Sequence, residues 1–358
     1  MNTDKRKVLN GYHVVFLAQN LIIGTGLLSL PQKISAVGYS QWMLPIVFGI
    51  MATITLWPMI WINSKYPQEN LFSINEKVLG KWMGKIVNSL FIVYFVFILA
   101  SLIDNYMLLM QTTALAEHSI TLPIVFFLLV LVYIVNGGIK SIARFCIMSF
   151  FLTILLLFFL RWSIEKGELS HIFPLFNFNW TELEGAMRKG FMSILGYELI
   201  MVYFPYIISQ KKAFKHTVIG VWISITIYFI TTLVSVMYYS EWQLKHIDYS
   251  VLNLLKAGNL SFVERIDVLG VTLWIFLVLS TTAGYLWASK KSLESLLSKS
   301  KHYHSYILVA AVFLVMMIPI EREYKEKLFE NIFYVSFLMI LWPLFLIVVH
   351  LIKKKQVR

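Results

Sequence analysis

Apolar residues run along this chain in ten stretches, separated by short polar segments. The stretches lie near residues 10–37, 42–62, 86–112, 121–137, 143–163, 187–208, 217–239, 268–288, 304–320 and 331–352. A helix needs about 20 mostly apolar residues to cross a bilayer, so the pattern predicts ten spanning helices, with the fourth and ninth short for the task. No polar segment between them exceeds about 30 residues, which is too short for a separate soluble domain. The expectation is a single all-α integral membrane domain over residues 1–358.

The first stretch is broken in its middle. Leu21-Ile22-Ile23 leads into Gly24-Thr25-Gly26 before Leu27-Leu28-Ser29-Leu30-Pro31 resumes. Each Gly costs a helix interior about 1 kcal/mol relative to Ala. Irregular backbone at membrane depth is tolerated only where it is buried in protein or lines a cavity. A second interruption, Ser193-Ile194-Leu195-Gly196-Tyr197-Glu198, lies 172 residues later, with Pro205 beyond it. The same offset carries the second stretch roughly onto the seventh and the third near the eighth. The ten helices then divide as five plus five, with repeat one over about 8–163 and repeat two over about 187–352. This is the inverted-repeat, leucine-transporter-like arrangement with helices 1 and 6 broken, in which paired interruptions point to a small-molecule site at the bilayer midplane.

Composition narrows the class. Hydrophobic residues make up 58% of the chain and charged residues 14%, and the mean hydropathy is +0.72. A soluble domain carries about 25% charged residues. Lys and Arg then set the orientation. With a cytoplasmic N-terminus, 20 of the 31 fall on inner segments, from Lys5, Arg6 and Lys7 to Lys353, Lys354, Lys355 and Arg358. Both termini are therefore expected to be cytoplasmic. The +12 net charge reports topology, and nucleic acid is excluded as a partner because no soluble basic face carries interleaved aromatics. The basic start Met1–Lys7 precedes no small-residue cleavage site and reads as the lead-in to an uncleaved first helix. The lone Cys146 cannot form an intramolecular disulfide, and no Cys/His spacing suits zinc. His302-Tyr303-His304 reads as surface. Neither a metal nor a cofactor is expected.

The candidate chemistry gathers at the breaks. An opened helix frees amides and carbonyls, and its half-helix ends carry partial charge. Gly24, Thr25 and Gly26 can offer N–H groups to a carboxylate, with the Thr25 hydroxyl beside them; the competing reading is close helix packing through small residues. Gly196, Tyr197 and Glu198 supply a break, an aromatic wall and a carboxylate. Asp104 and Glu198 are the two acids inside spans. Acids at that depth are costly and default to functional candidates: they can hold a proton, accept an amine, or make a neutral interhelical hydrogen bond. Ser101 and Asn105 share Asp104's helical neighbourhood. Ser280-Thr281-Thr282 precedes Gly284 in the eighth span, and these hydroxyls can face the first break, hold a sodium ion, or bond only their own helix.

These residues carry a resemblance. Gly24-Thr25-Gly26-Leu27-Leu28-Ser29-Leu30-Pro31 resembles the first-helix signature of the endospore germination permeases. These are the B subunits of spore nutrient-germinant receptors, within the amino acid/polyamine/organocation superfamily. Gly196-Tyr197-Glu198 is similar to that family's sixth-helix motif, and Glu264-Arg265-Ile266-Asp267 resembles its acidic-basic motif ahead of the eighth helix. The resemblance implies a spore inner-membrane protein that senses a small germinant, often an amino acid, in complex with an A-type and a lipoprotein C-type subunit. It implies a pocket from helices one, three, six and eight, matching Gly24 to Gly26, Ser101 to Asn105, Gly196 to Glu198, and Thr281 with Thr282. Asp104 matches no family motif and stands on its depth alone. The alternative is a proton-coupled secondary amino acid transporter, because one fold serves both. No His-Glu-x-x-His or similar array suggests an enzyme.

Overall fold

The computed structural model describes residues 7–115, 119–258, 266–297 and 301–356. Lys5, Arg6, Lys299 and Arg358 of the charge pattern, and Glu264 and Arg265 of the motif ahead of the eighth helix, lie outside them. In chain order the helices are α1 (Gly11–Ile22), α2 (Gly26–Lys33), α3 (Leu44–Lys65), α4 (Leu71–Leu79), α5 (Lys81–Thr113) and α6 (Thr121–Asn136). Then come α7 (Ile139–Thr153), α8 (Arg161–Lys166), α9 (Trp180–Phe191), α10 (Ile200–Tyr203) and α11 (Ala213–Tyr238). The chain closes with α12 (Glu241–His246), α13 (Ser250–Leu255), α14 (Ile266–Leu297), α15 (Tyr303–Met317) and α16 (Arg322–Gln356).

Each of the ten apolar stretches is helical. Among the described residues, six helical runs are individually long and apolar enough to cross a membrane, and the pair α1 and α2, bent by 50° at the first break, makes a seventh if taken as one span. α6 and α15 are shorter apolar helices. At 1.5 Å per residue they cover about 24 and 22 Å, below the ~30 Å hydrocarbon core. The sixth stretch is divided among α9, short 3-10 turns and α10.

Three helices, α4, α12 and α13, occupy segments that the apolar pattern left as connections. Local caps explain two of them: Asn70 accepts from the Ser73 N–H at 3.0 Å, and Ser240 and Gln243 bond each other's backbone N–H at the start of α12. Asn179 and Glu182 form the same reciprocal cap, which starts α9 at Trp180, seven residues before the predicted start at 187.

α14 and α5 form the most extensive helix pair, and α1 is packed among α11, α7 and α14. Polar side chains pin α1 in place. Asn20 donates to the Cys146 carbonyl on α7 at 2.9 Å and accepts from Ser280 on α14 at 3.1 Å. Ser224 on α11 donates to the Gln19 carbonyl at 2.9 Å. Interhelical bonds of this kind are worth about 0.6 kcal/mol each on average inside membrane proteins. An isolated parallel bridge pairs Leu9 with Ile207, so the start of the first stretch meets the end of the sixth. Large buried tyrosines, among them Tyr197, Tyr203, Tyr228 and Tyr285, fill the interior at these two segments.

Candidate functional site

The first break runs from Ile23, with extended backbone, to Thr25, which caps α2. The carbonyls it exposes are claimed by neighbouring helices. The Thr281 hydroxyl has the Asn20 carbonyl at 2.8 Å and the Ile23 carbonyl at 3.1 Å. The Trp274 indole N–H donates to the Gly24 carbonyl at 3.2 Å. The amides are free by contrast. First-turn N–H groups have no intrahelical partner, and those of Thr25, Gly26 and Leu27 have no acceptor among the described residues, whereas Leu28 reaches the Thr25 carbonyl at 3.2 Å.

The second break begins after the 3-10 turn Met192–Ile194. Leu195 is extended and Gly196 takes a φ of +124°, a conformation that disfavours any side chain. A Cβ on Gly196 would also stand 2.0 Å from the Leu21 carbonyl oxygen. This glycine lets the two broken segments touch backbone to backbone. Gly26 makes the reciprocal contact, since a Cβ there would meet the Ser193 Cα at 2.9 Å, while Gly24 has its nearest neighbour at 3.6 Å. Tyr228 stitches the pair: its hydroxyl donates to the Ser193 carbonyl at 2.5 Å, with the Ile22 carbonyl 3.3 Å away.

Between the breaks, α5 and α14 lies a cavity of about 80 Å³. Of the residues singled out in the sequence, Gly24, Thr25, Gly26, Ser101, Asn105 and Thr281 line it. Sequence reasoning missed Ile22, Lys33, Ile98, Leu102, Met192, Ser193, Leu195 and Tyr285, which complete the wall. Two of these carried a usable signal: Tyr285 follows Thr281 by one helical turn, and Ser193 opens the sixth interruption. The buried Ser193 hydroxyl has no hydrogen-bond partner among the described residues.

The remaining candidates stand behind that wall. The Glu198 carboxylate bridges its own break to α14, accepting the Gly196 N–H at 2.7 Å and the Tyr285 hydroxyl at 2.8 Å. The Tyr197 hydroxyl is 2.9 Å from Thr55 Oγ1 on α3. Thr282 donates to the Val278 carbonyl of its own helix at 2.7 Å. Asp104 is taken up instead by Lys325 near the start of α16, which donates to it at 2.5 Å.

A long helical bundle whose two opened segments flank a cavity lined by polar and apolar side chains defines a membrane protein of transporter fold. Solved structures agree. The chain superposes on Mhp1, a nucleobase-cation-symport-1 family transporter in a closed conformation with bromovinylhydantoin bound, with a TM-score of 0.68, 13% identity, and coverage of 94% of this chain and 78% of that one. It superposes on MhsT in complex with L-phenylalanine with a TM-score of 0.70, 16% identity, and coverage of 92% and 87%. The family model described as spore germination protein matches residues 8–325, and the chain belongs to that family. It is 24% identical to spore germination protein GerQB of Bacillus cereus over 85% of this chain and 84% of that one. It is 23% identical to spore germination protein A2 of Bacillus subtilis (strain 168) over 97% and 96%.

Proposed function

We infer that this chain is the germinant-sensing membrane subunit of a spore nutrient receptor, and that it binds a small neutral amino acid in the cavity between the two breaks. The observation that carries the reading is the cavity itself, where Thr25 and Gly26, whose amides have no acceptor among the described residues, meet the Ser193 hydroxyl, which has no partner among them either. At ~10–15 Å³ for each water-sized group, about 80 Å³ holds roughly five to eight non-hydrogen atoms. That is the size of a small amino acid. Its carboxylate would face the start of α2, where N–H groups and the helix dipole favour an anion. Its ammonium would donate to the hydroxyls of Ser101 and Ser193, and Leu102, Met192 and Leu195 would set the room for its side chain.

In this reading Gly196, Tyr197, Glu198 and Thr282 shape the site from behind, Asp104 serves its ion pair with Lys325, and the chain crosses the spore inner membrane ten times with both termini cytoplasmic. Its partners are A-type and lipoprotein C-type subunits. The test is titration of the full chain, in lipid nanodiscs, with a panel of neutral L-amino acids followed by calorimetry. Saturable binding that Gly24→Leu removes supports the reading; no binding by any of them opposes it. The second reading, a proton-coupled amino acid transporter, is favoured by the transporter fold. Proton-driven uptake of the bound amino acid into sealed vesicles would establish it.

A further inference from the structure

The first break is a partition with space on both of its sides. Toward α5 lies the polar cavity. Toward α7 and α11 lies a second cavity, of about 40 Å³. Its inner wall is made by Ile23, Leu27 and Leu28 of the broken segment and by Trp274 and Leu277 of α14, none of them more than 6% exposed. The indole bond to the Gly24 carbonyl holds Trp274 in that wall.

Its lining offers little to water. Thr153 and Thr231 donate their hydroxyl protons to carbonyls of their own helices, at 2.7 and 2.9 Å. Gln19 accepts from Asn20 at 2.6 Å, which leaves only its amide NH2 without an acceptor among the described residues. A buried water needs two to four polar partners, and dry apolar cavities instead take apolar guests.

The outer rim points to the guest. Beyond α7 the chain winds as a 3-10 helix over Ile154–Leu160, in which residues three apart stack in columns. Ile154, Leu157 and Leu160 form a column that lines the cavity, with Leu156 beside them. Leu155 and Phe158 form the neighbouring column, each 64% exposed on the outside of the bundle. In a multi-pass membrane protein that outer column meets lipid hydrocarbon, and Ile154 and Leu157 are half-buried at the border between the two.

We propose that this second cavity is a lipid-tail site: the distal carbons of one bilayer acyl chain enter beside the 154–160 run and pack against the back of the first break. The break lies at mid-segment, so the guest is the end of a tail while its headgroup stays at the membrane surface. Ile23 and Leu27 then touch lipid, while Gly24, Thr25 and Gly26, in the same turn of chain, face the polar cavity. The proposal rests on the membrane-spanning architecture and is independent of the germinant reading.

The experiment uses the full chain in phosphatidylcholine vesicles doped with a lipid bearing a diazirine at the terminal carbon of one tail. Adducts are mapped by mass spectrometry after irradiation. The expected result is labelling of the inner wall at Ile23, Leu27 and Trp274, alongside Leu155 and Phe158 on the outside. Leu157→Trp, which narrows the half-buried rim, should abolish the inner-wall adducts and leave the outer ones. Adducts confined to the outer column in the wild-type protein would overturn the proposal, as would inner-wall labelling that Leu157→Trp does not reduce. A diazirine placed next to the headgroup should label neither Ile23 nor Trp274; equal labelling from that position would also overturn it.

Discussion

Replacing Glu198 separates a clasp from a ligand contact. Its two carboxylate oxygens each serve one donor, the Gly196 N–H at 2.7 Å and the Tyr285 hydroxyl at 2.8 Å, and the residue is buried. Glu198→Ala strands both donors. Each unsatisfied buried group costs about 1–3 kcal/mol, so the substitution should remove roughly 2–6 kcal/mol. A domain has about 5–15 kcal/mol in total, so much of the folded protein should be lost. Glu198→Gln is different. Its carbonyl oxygen can keep the Gly196 N–H, and its NH2 can donate to the Tyr285 oxygen, whose own proton rotates away. Both contacts survive, and the loss is limited to about 1 kcal/mol per contact, about 2 kcal/mol in all, for exchanging a charged acceptor for neutral partners. The assay pairs fluorescence-detected size exclusion and melting of the membrane protein with amino acid titration of each variant. Glu198→Gln should keep its abundance and bind with wild-type half-saturation. A tenfold or greater rise in half-saturation at unchanged abundance, equivalent to about 1.4 kcal/mol, would refute the argument and make the carboxylate a ligand contact.

Gly26→Val should fail to accumulate, because its Cβ would meet the Ser193 Cα at 2.9 Å, whereas Gly24→Ala, with 3.6 Å to spare, should fold at wild-type yield and weaken amino acid binding by calorimetry. Thr281→Ser should retain the wild-type melting temperature, while Thr281→Val loses the bond to the Asn20 carbonyl and should cost about 1–3 kcal/mol by chemical denaturation. The Asp104 and Lys325 side chains are 28% and 19% exposed. A double-mutant cycle with Asp104→Asn and Lys325→Gln should give a coupling of up to about 1 kcal/mol with no change in ligand affinity; an affinity shift would bring Asp104 into the site.

The breaks were legible because their signal is local. Two glycines around Thr25, and Gly196 beside Leu195, announce themselves within a few residues. Distance and rotamer decide the rest. Ser280-Thr281-Thr282 reads as three equivalent hydroxyls, yet only Thr281 both turns to the cavity and reaches the broken segment's carbonyls, while Thr282 bonds its own turn. Asp104 gave no hint of Lys325, 221 residues on, in a segment whose apolar pattern predicts only a connection. Glu198 stood beside a break and so looked like a ligand group; its neighbour Tyr285 is what faces the space. Helix α4 was missed because nine residues with alternating polarity carry no spanning signal, although the Asn70 cap was present.

The pairing of Leu9 with Ile207 has a consequence for how this protein can move. Three backbone bonds, from Val8 and Leu9 to the Tyr206 carbonyl at 2.9 and 3.0 Å and from Ile208 to the Leu9 carbonyl at 3.0 Å, join the ends of the two broken segments. Leu9 is fully buried, so pulling these bonds apart would leave its N–H and carbonyl unmet at about 1–3 kcal/mol each. The stretch leading into α1 and the stretch leaving α10 therefore travel as one lever. Spin labels on Val8 and Ile208 should keep a fixed separation with and without amino acid, even when both change their distance to α3.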